Sequence, residues 1–600
     1  MKDNNALQSF PLDDLPPETF SEAYSLLVVD IDDFNTRALL FDSVENGYRL
    51  IANSKIQSSI CSPDIDAGVT FRKAIQEIEK ISRRRLCNKM DGIISPGLPD
   101  GSGVDKFIAT ISIGIPLKIA AVGLLEDIST ANAARLAETT YCGELKKIGK
   151  SSYRDNVNII DAISMFTPDL IIIAGGTEDG AYAAVRDLLE TISMSCETFP
   201  ENIRPFILYA GNRALHDEII EYLDGVTGYQ IAPNVYRTQT TQDISASHRM
   251  VAEITTSIRQ RQIPSLGAFM DLAPDRLVHS PAAYGRIVQF LSKARSPEKG
   301  VLGIDINTTS STLTAAFDGE LTLTVYTELG TGTAPSQLLE NPALLEIFLH
   351  WLPMDIPAGY VYEYLQNKLI LPTYTPISHE DLLIEQTLIR YIIQTAIQKS
   401  RTALQNRSDL GVSDHVPFME PILASGEVFN NGTTPAQRLL MLLDGLQPCG
   451  ATTFVLDPHR IIPALGAAAE TNPTLAIQVL DSSAFTHLGT VISPVGDAKP
   501  DTPILRANLV DEGSYQSQIE LVKGDIDWIP LEVGRTARLQ LHPLQKVDIG
   551  MGGPGIGGTL LVKGGAQGII FDGRGRPIVL PEDPEQRFAA HQKWLRSLGG

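Results

Sequence analysis

Leu27-Val28-Val29-Asp30-Ile31-Asp32-Asp33-Phe34-Asn35-Thr36-Arg37-Ala38-Leu39-Leu40-Phe41-Asp42 is an apolar run that closes on an aspartate, turns through polar residues and resumes as a second apolar run. The same grammar returns in Val301-Leu302-Gly303-Ile304-Asp305-Ile306-Asn307-Thr308-Thr309-Ser310-Ser311-Thr312-Leu313-Thr314-Ala315-Ala316-Phe317-Asp318-Gly319. Each stretch predicts a hairpin of two apolar strands with a carboxylate at its tip. A third strand follows each hairpin, over 48–57 and over 321–326, so the two openings form an internal duplication in pattern.

Outward from the first hairpin, the spacing predicts a helix over 67–86 and then a loop rich in Gly, Pro and Ser over 91–105. From residue 107 strands and helices alternate: a strand at 119–123, an alanine-rich helix at 127–141 capped by Ser129, and a helix ending near Met165. A strand from Leu170 to Ala174 then runs into Gly175-Gly176-Thr177-Glu178-Asp179-Gly180 and a helix over 181–194, and strand meets glycine again over 206–212. Continuous β-branched residues before a glycine turn describe buried strands of a parallel or mixed sheet. This is α/β architecture, in which ligands gather at the carboxyl ends of strands. The second half carries a helix-rich insertion at about 335–404 with one apolar face over 380–404. A strand and glycine turn over 421–429 and a small-residue helix over 460–470 follow. Beyond 480, short strands between Gly, Pro and Asp turns predict a C-terminal mostly-β domain.

At 600 residues the chain is too long for a single core, and three or four domains are expected. A mean hydropathy of +0.01 is that of an ordinary globular protein. The net charge of −22 argues against a nucleic-acid or anionic-membrane surface, since phosphates are held by clustered Lys and Arg. The one dense basic run, Arg83-Arg84-Arg85, ends a helical pattern, where cations suit the helix dipole. Five cysteines without CxxC spacing predict neither a zinc site nor a disulfide framework and fit a reducing cytoplasm. The acidic, polar start does not read as a signal peptide. The longest apolar stretch, 107–125, is broken by Gly114, Pro116 and Lys118, which suits core elements better than a membrane span. The run from Gly550 to Gly558 lacks the Gly-Lys-Ser/Thr ending of a phosphate loop and reads as turns. Neither paired histidines nor a GxSxG elbow supports metal-dependent or triad hydrolysis.

Strand-Asp-turn-strand twice, with a late glycine turn, resembles the actin, hexokinase and acetate-kinase superfamily. The chain is most similar there to the MutL family associated with adenosylcobalamin-dependent glutamate mutase, which is unrelated to the mismatch-repair protein of that name. The residues that carry the resemblance are the two hairpins, 116–124, 168–180, Tyr209-Ala210-Gly211-Asn212 and Leu456-Asp457 with Ala464-Leu465-Gly466. What the resemblance implies is a duplicated actin-like (ribonuclease H-like) ATPase core of two lobes, 25–298 and 299–478, facing across an interdomain cleft. A flexible leader over 1–24 and the β-rich domain over 479–600 flank that core. It also implies a nucleotide site made of Asp30, Asp32, Asn35, Thr36, Gly175, Gly176, Thr177, Asp305, Asn307, Thr308, Thr309, Ser425 and Gly426. There Asp30 and Asp305 would organise Mg²⁺, mostly through water, beside ATP. The implied function is an ATP-dependent, chaperone-like reactivating or assembly factor for a protein partner, with a cobalamin-dependent mutase as the candidate. No Asp-x-His-x-x-Gly cobalamin pattern occurs in the chain, and no catalytic residue is assigned.

The sequence departs from the family's pattern where the phosphates would sit. Glycine after the strand-end aspartate lets backbone N–H groups approach phosphate oxygens. Here that place holds Asp32, followed by Asp33 and Phe34, while Asn307 stands in the second hairpin and Ala424-Ser425-Gly426 replaces a paired glycine. Like charges about 4 Å apart repel by about 1 kcal/mol in water and about 4 kcal/mol at an effective dielectric near 20. Weakened nucleotide binding is therefore expected unless a further metal ion sits among Asp30, Asp32 and Asp33. A non-catalytic interaction protein on the same fold is the alternative reading.

Overall fold

The computed structural model describes residues 24–599 except 46, 58–66, 89–91, 154–155, 179, 181, 236–244, 273–275, 295–297, 406–414, 432 and 512–515. Most of the expected leader, 1–23, and Cys61 lie outside the described residues. Among the described residues the protein is a mixed α/β fold with four sheets.

The first hairpin forms as read: Leu26–Asp32 pairs antiparallel with Asn35–Val44, which pairs antiparallel with Gly47–Gln57. On its other side Leu26–Asp32 runs parallel to Lys106–Ser112, and that strand parallel to Leu277–His279. All seven residues of Leu26–Asp32 are buried, as an apolar strand demands when both faces of its sheet are covered. One face packs Val29, Ile31 and Leu40 against Phe71, Ile75 and Ile78 of helix Ala67–Ser82. That helix stops short of the expected 86 because Arg83 turns left-handed at φ +56°.

The second hairpin, Gly300–Ile306 with Ser311–Phe317, repeats the plan. Glu320–Tyr326 pairs antiparallel beyond it, and Met419–Ser425 then Gly450–Asp457 lie parallel on the other side. The first five strands of this sheet have the order and the senses of the first sheet. It then continues through Thr486–Ser493, Ile569–Asp572 and Ile526–Ile529 to eight strands. Pro503–Asp511, Gln516–Val522, Thr536–Pro543 and Gly558–Lys563 make a separate four-stranded sheet. A buried ionic network binds this late segment to the rest: Arg574 reaches Asp444 at 2.6 Å and Asp572 at 2.9 Å, and Arg390 reaches Asp444 at 2.7 Å. Trp594 of the last helix, Pro584–Ser597, stacks under the Arg574 guanidinium.

Between Lys106–Ser112 and Leu277–His279 the chain builds a fourth sheet, all parallel, in the order Cys142–Gly149, Leu117–Gly123, Leu170–Ala174, Phe206–Tyr209, Tyr229–Ile231. The strand Cys142–Gly149 is absent from the sequence reading because it is an edge strand whose residues are mostly polar or exposed. The helix expected over 127–141 is shorter: a π-turn over Glu126–Thr130 leads into Ala131–Ala137, and Ser129 bonds Leu125 rather than capping. The insertion at 335–404 is helical as read, ending in the long helix His379–Gln405. Residues 550–555 form turns and bends, and strand Gly558–Lys563 follows rather than a helix. Among the described residues, no helix is long and apolar enough to cross a membrane.

The two five-strand plans meet through helices Ser280–Lys293 and Ile462–Ala468, whose Tyr284, Ile287, Leu465 and Ala468 share one core with Val28 and Leu39 of the first sheet and Val301 and Leu423 of the second. The helices cross so closely that a Cβ on Gly466 would lie 1.8 Å from the Ala283 carbonyl oxygen. Gly466→Ala is therefore expected to destabilise the protein by about 2–3 kcal/mol, the scale of an overpacked core, read as a lower midpoint of urea unfolding. An unchanged midpoint would show that the helices do not cross this tightly.

Candidate functional site

The register of the first hairpin places Arg37 directly across from Asp30. Side chains opposite each other on antiparallel strands share one face, so the guanidinium is delivered to the carboxylates at the tip. Arg37 Nη1 lies 2.6 Å from Asp32 and 3.3 Å from Asp30, while its Nη2 pairs with Glu427 just beyond strand Met419–Ser425 of the second sheet. Lys55 on the first sheet reaches the other oxygen of Glu427 at 2.5 Å.

Arg460 closes the arrangement. It follows strand Gly450–Asp457 and precedes helix Ile462–Ala468, and its own backbone is left-handed at φ +56°. Such a conformation costs a side-chain-bearing residue on the order of 1–2 kcal/mol, and the Asp457 carboxylate holds it by accepting from the Ile462 N–H at 2.8 Å and the His459 N–H at 3.3 Å. From there the buried guanidinium reaches Asp30 at 3.0 Å and Asp32 at 3.4 Å through Nη1, and Asp305 at 3.1 Å through Nη2. One cation thus bridges the tip carboxylates of both hairpins. Burial works to raise the Asp32 carboxyl, but Arg37 and Arg460 hold it below the usual range. Burial likewise opposes the charge on Arg460, and Asp305, Asp30 and Asp32 overcome it.

The remaining predicted site residues fall into three groups. Asp30, Asp32, Asp305 and Asn307 belong to this cluster, Asn307 donating to Asp305 at 2.9 Å. Asn35 donates to Asp32 from its backbone at 2.7 Å, and Thr309 donates across to Asp33 of the first hairpin at 2.8 Å. Ser425, at the end of its strand, donates to Asp457 at 3.4 Å, and Gly426 takes φ +133° with the Ile306 carbonyl 2.3 Å from where a Cβ would stand. Thr308 lies in the second tip with its carbonyl bonded to the Gly332 N–H. Thr36 is turned to the opposite face, donating to Thr70 beside helix Ala67–Ser82. Gly175, Gly176 and Thr177 stand on the inserted parallel sheet and line a different cavity.

Arg37, Glu427 and Arg460 are members of the cluster that sequence reasoning missed. Arg37 carried a legible signal, a charge inside an apolar strand in register with Asp30, whereas Arg460 carried none. Beside them opens a cavity of about 160 Å³ lined by Arg37, Lys55, Gly426, Glu427, His459 and Arg460. Ligand pockets usually run from about 300 Å³ upward. Among the described residues, no group of three or more His, Cys, Asp or Glu is arranged to hold a metal ion. In this arrangement the Arg460 guanidinium occupies the space between Asp30 and Asp305, and Asp32 accepts the Phe34 and Asn35 N–H groups of the turn.

The geometry defines a mixed α/β protein whose two hairpin-led sheets are joined tip to tip by buried ion pairs. The family described as MutL protein matches residues 26–484, and the chain belongs to that family. A search of curated proteins returns no match. Among solved structures, a chain of a PilM-PilN type IV pilus biogenesis complex is similar at 12% identity over 76% of this chain and 99% of that one, with a TM-score of 0.28, a likeness too loose to argue from.

Asp457 gives the site a pH signature. Burial, with the nearby Asp305 charge adding to it, pushes its carboxyl from the ordinary 3.8 up to about 6, against the pull of the Ile461, Ile462 and His459 N–H groups. The native state thus favours the proton; the stability this group contributes is full below its unfolded value and is lost as pH rises through the folded one. Asn keeps one acceptor oxygen where Asp457 offers two, so the expected signature in thermal melts is a Tm difference between Asp457→Asn and wild type that shifts in the variant's favour from about pH 4 to about pH 8. A gap that is constant with pH would contradict the assignment.

Proposed function

We propose that this MutL-family protein is a chaperone-like assembly factor for a protein partner, built on two actin-like lobes whose cleft is closed by an internal ion clamp in place of a metal–nucleotide. The lobes would be built on the two sheets that share a five-strand order and sense, with the strands beyond 484 as a β-rich extension fused onto the second. Supporting the actin-like reading is that repeated order, in which paired hairpins face one another at their aspartate tips. The observation that carries the functional reading is the Arg460 guanidinium between Asp30, Asp32 and Asp305. A cation delivered by the chain neutralises the acids that Mg²⁺ would otherwise gather, so closure needs no ligand and the lobes present a fixed surface. By the family's association the partner is a cobalamin-dependent mutase, met in the cytoplasm.

A second reading, an ATP-driven factor with weak nucleotide affinity, is favoured by one atom. Asp305 Oδ1 is buried without a hydrogen-bond partner, and a buried carboxylate oxygen left bare is costly. It would be free to meet a cation if Arg460 withdrew. Calorimetric titration of the full chain with ATP, with and without Mg²⁺, separates the two. No saturable heat is expected up to about 1 mM, where binding is worth only about 4 kcal/mol. Micromolar, Mg²⁺-dependent binding that disappears in Asp305→Ala would overturn the clamp reading.

A further inference from the structure

The inserted parallel sheet carries a site of its own. Its first strand, Leu117–Gly123, is followed by Cys142–Gly149 on one side and then by Leu170–Ala174 on the other. The direction of winding therefore reverses between Leu117–Gly123 and Leu170–Ala174. In open α/β sheets the crevice outside the carboxyl ends of two such strands is left uncovered by either connection, and ligands bind there. A cavity of about 460 Å³ lies at this place, between Leu124, Leu125 and Ile128 after the first strand and Gly175, Gly176 and Thr177 after the third. Its size is within the range of small-molecule pockets.

A second observation points to an occupant. Asn132 lines the cavity from helix Ala131–Ala137, is 1% exposed, and its Nδ2 has no hydrogen-bond partner. A buried amide donor left unsatisfied costs on the order of 1–3 kcal/mol, so a ligand acceptor that met it would recover that loss.

The chemistry of the lining selects the ligand. Among the described residues, no Asp, Glu, Lys, Arg or His lines the cavity, and a charge buried there would lack a counterion among them. The buried moiety is therefore neutral. Leu124, Leu125, Ile128 and Val235 offer apolar faces, Ser129 and Thr177 offer hydroxyls, and Asn132 offers a buried, unpartnered edge donor, the complement of a flat ring with a carbonyl or ring nitrogen at its rim. We infer that the inserted α/β unit binds a neutral heteroaromatic ring, of the flavin or nucleobase kind, at the reversal point of its sheet, with Asn132 donating to an acceptor on the ring edge. This site is separate from the Arg460 cluster and does not depend on the reading of that cluster.

Riboflavin and adenosine, both uncharged, probe the two ring classes: riboflavin by quenching of its fluorescence, adenosine by calorimetry, each with the full-length chain. One of the two is expected to bind, and Asn132→Leu is expected to weaken it by about tenfold or more while leaving Tm unlowered, because the lost amide has no partner in the free protein. Ile128→Glu, at a half-exposed rim position where folding is not at stake, is expected to weaken it similarly, and Asp305→Ala in the other cleft is expected to leave it unchanged. Failure of both probes to bind at about 1 mM, or binding that neither Asn132→Leu nor Ile128→Glu weakens, would overturn the inference.

Discussion

One guanidinium between three carboxylates is the constraint on which this structure depends. Asp30 and Asp32 end the first strand of one sheet and Asp305 ends the corresponding strand of the other, so the duplicated plan brings like charges tip to tip. In a buried setting they would repel by several kcal/mol if nothing stood between them. Arg460 stands between them, and Arg37 with Glu427 and Lys55 extends the pairing outward to the cavity rim. A buried ion cluster of this kind adds little net stability over an apolar filling, but removing one member strands the others and is strongly unfavourable. It specifies how the two sheets meet rather than how strongly each is folded.

The scaffold around the cluster serves the same end. The close crossing at Gly466 and Ala283 sets the helix that begins just after Arg460, and the carboxylate of Asp457 fixes the turn that aims the side chain. Gly426 must be glycine because the Ile306 carbonyl occupies the space of a side chain, and that contact delivers Glu427 to Arg37. A turn that the resemblance placed in the nucleotide site carries an anion across to the first sheet here.

Much of this was legible in the sequence, for identifiable reasons. The hairpins were readable because an apolar strand buried on both faces leaves a continuous run, and their tips because aspartate interrupts it. Thr36 was expected at the site but faces Thr70 instead, because neighbours on a strand face opposite ways and it is Arg37 that shares the face of Asp30. Arg460 was not readable: its partners lie 155 to 430 residues away in the chain, and nothing local marks an arginine before a small-residue helix as a bridge. Gly175-Gly176-Thr177 joined the expected nucleotide set because a glycine turn after a buried strand looks alike in any parallel sheet. Only the pairing of Leu170–Ala174 with Leu117–Gly123 shows which sheet it serves.

The central claim is that Arg460 couples the two hairpins through Asp305, and a double-mutant cycle in urea tests it most directly. Arg460→Met, Asp305→Asn and the double variant are compared with the wild type by their unfolding free energies. If the pair acts as one unit, Arg460→Met strands the Asp305 charge that the double change removes, and a coupling energy of about 2 kcal/mol or more is expected. Additivity within about 0.5 kcal/mol would contradict the account.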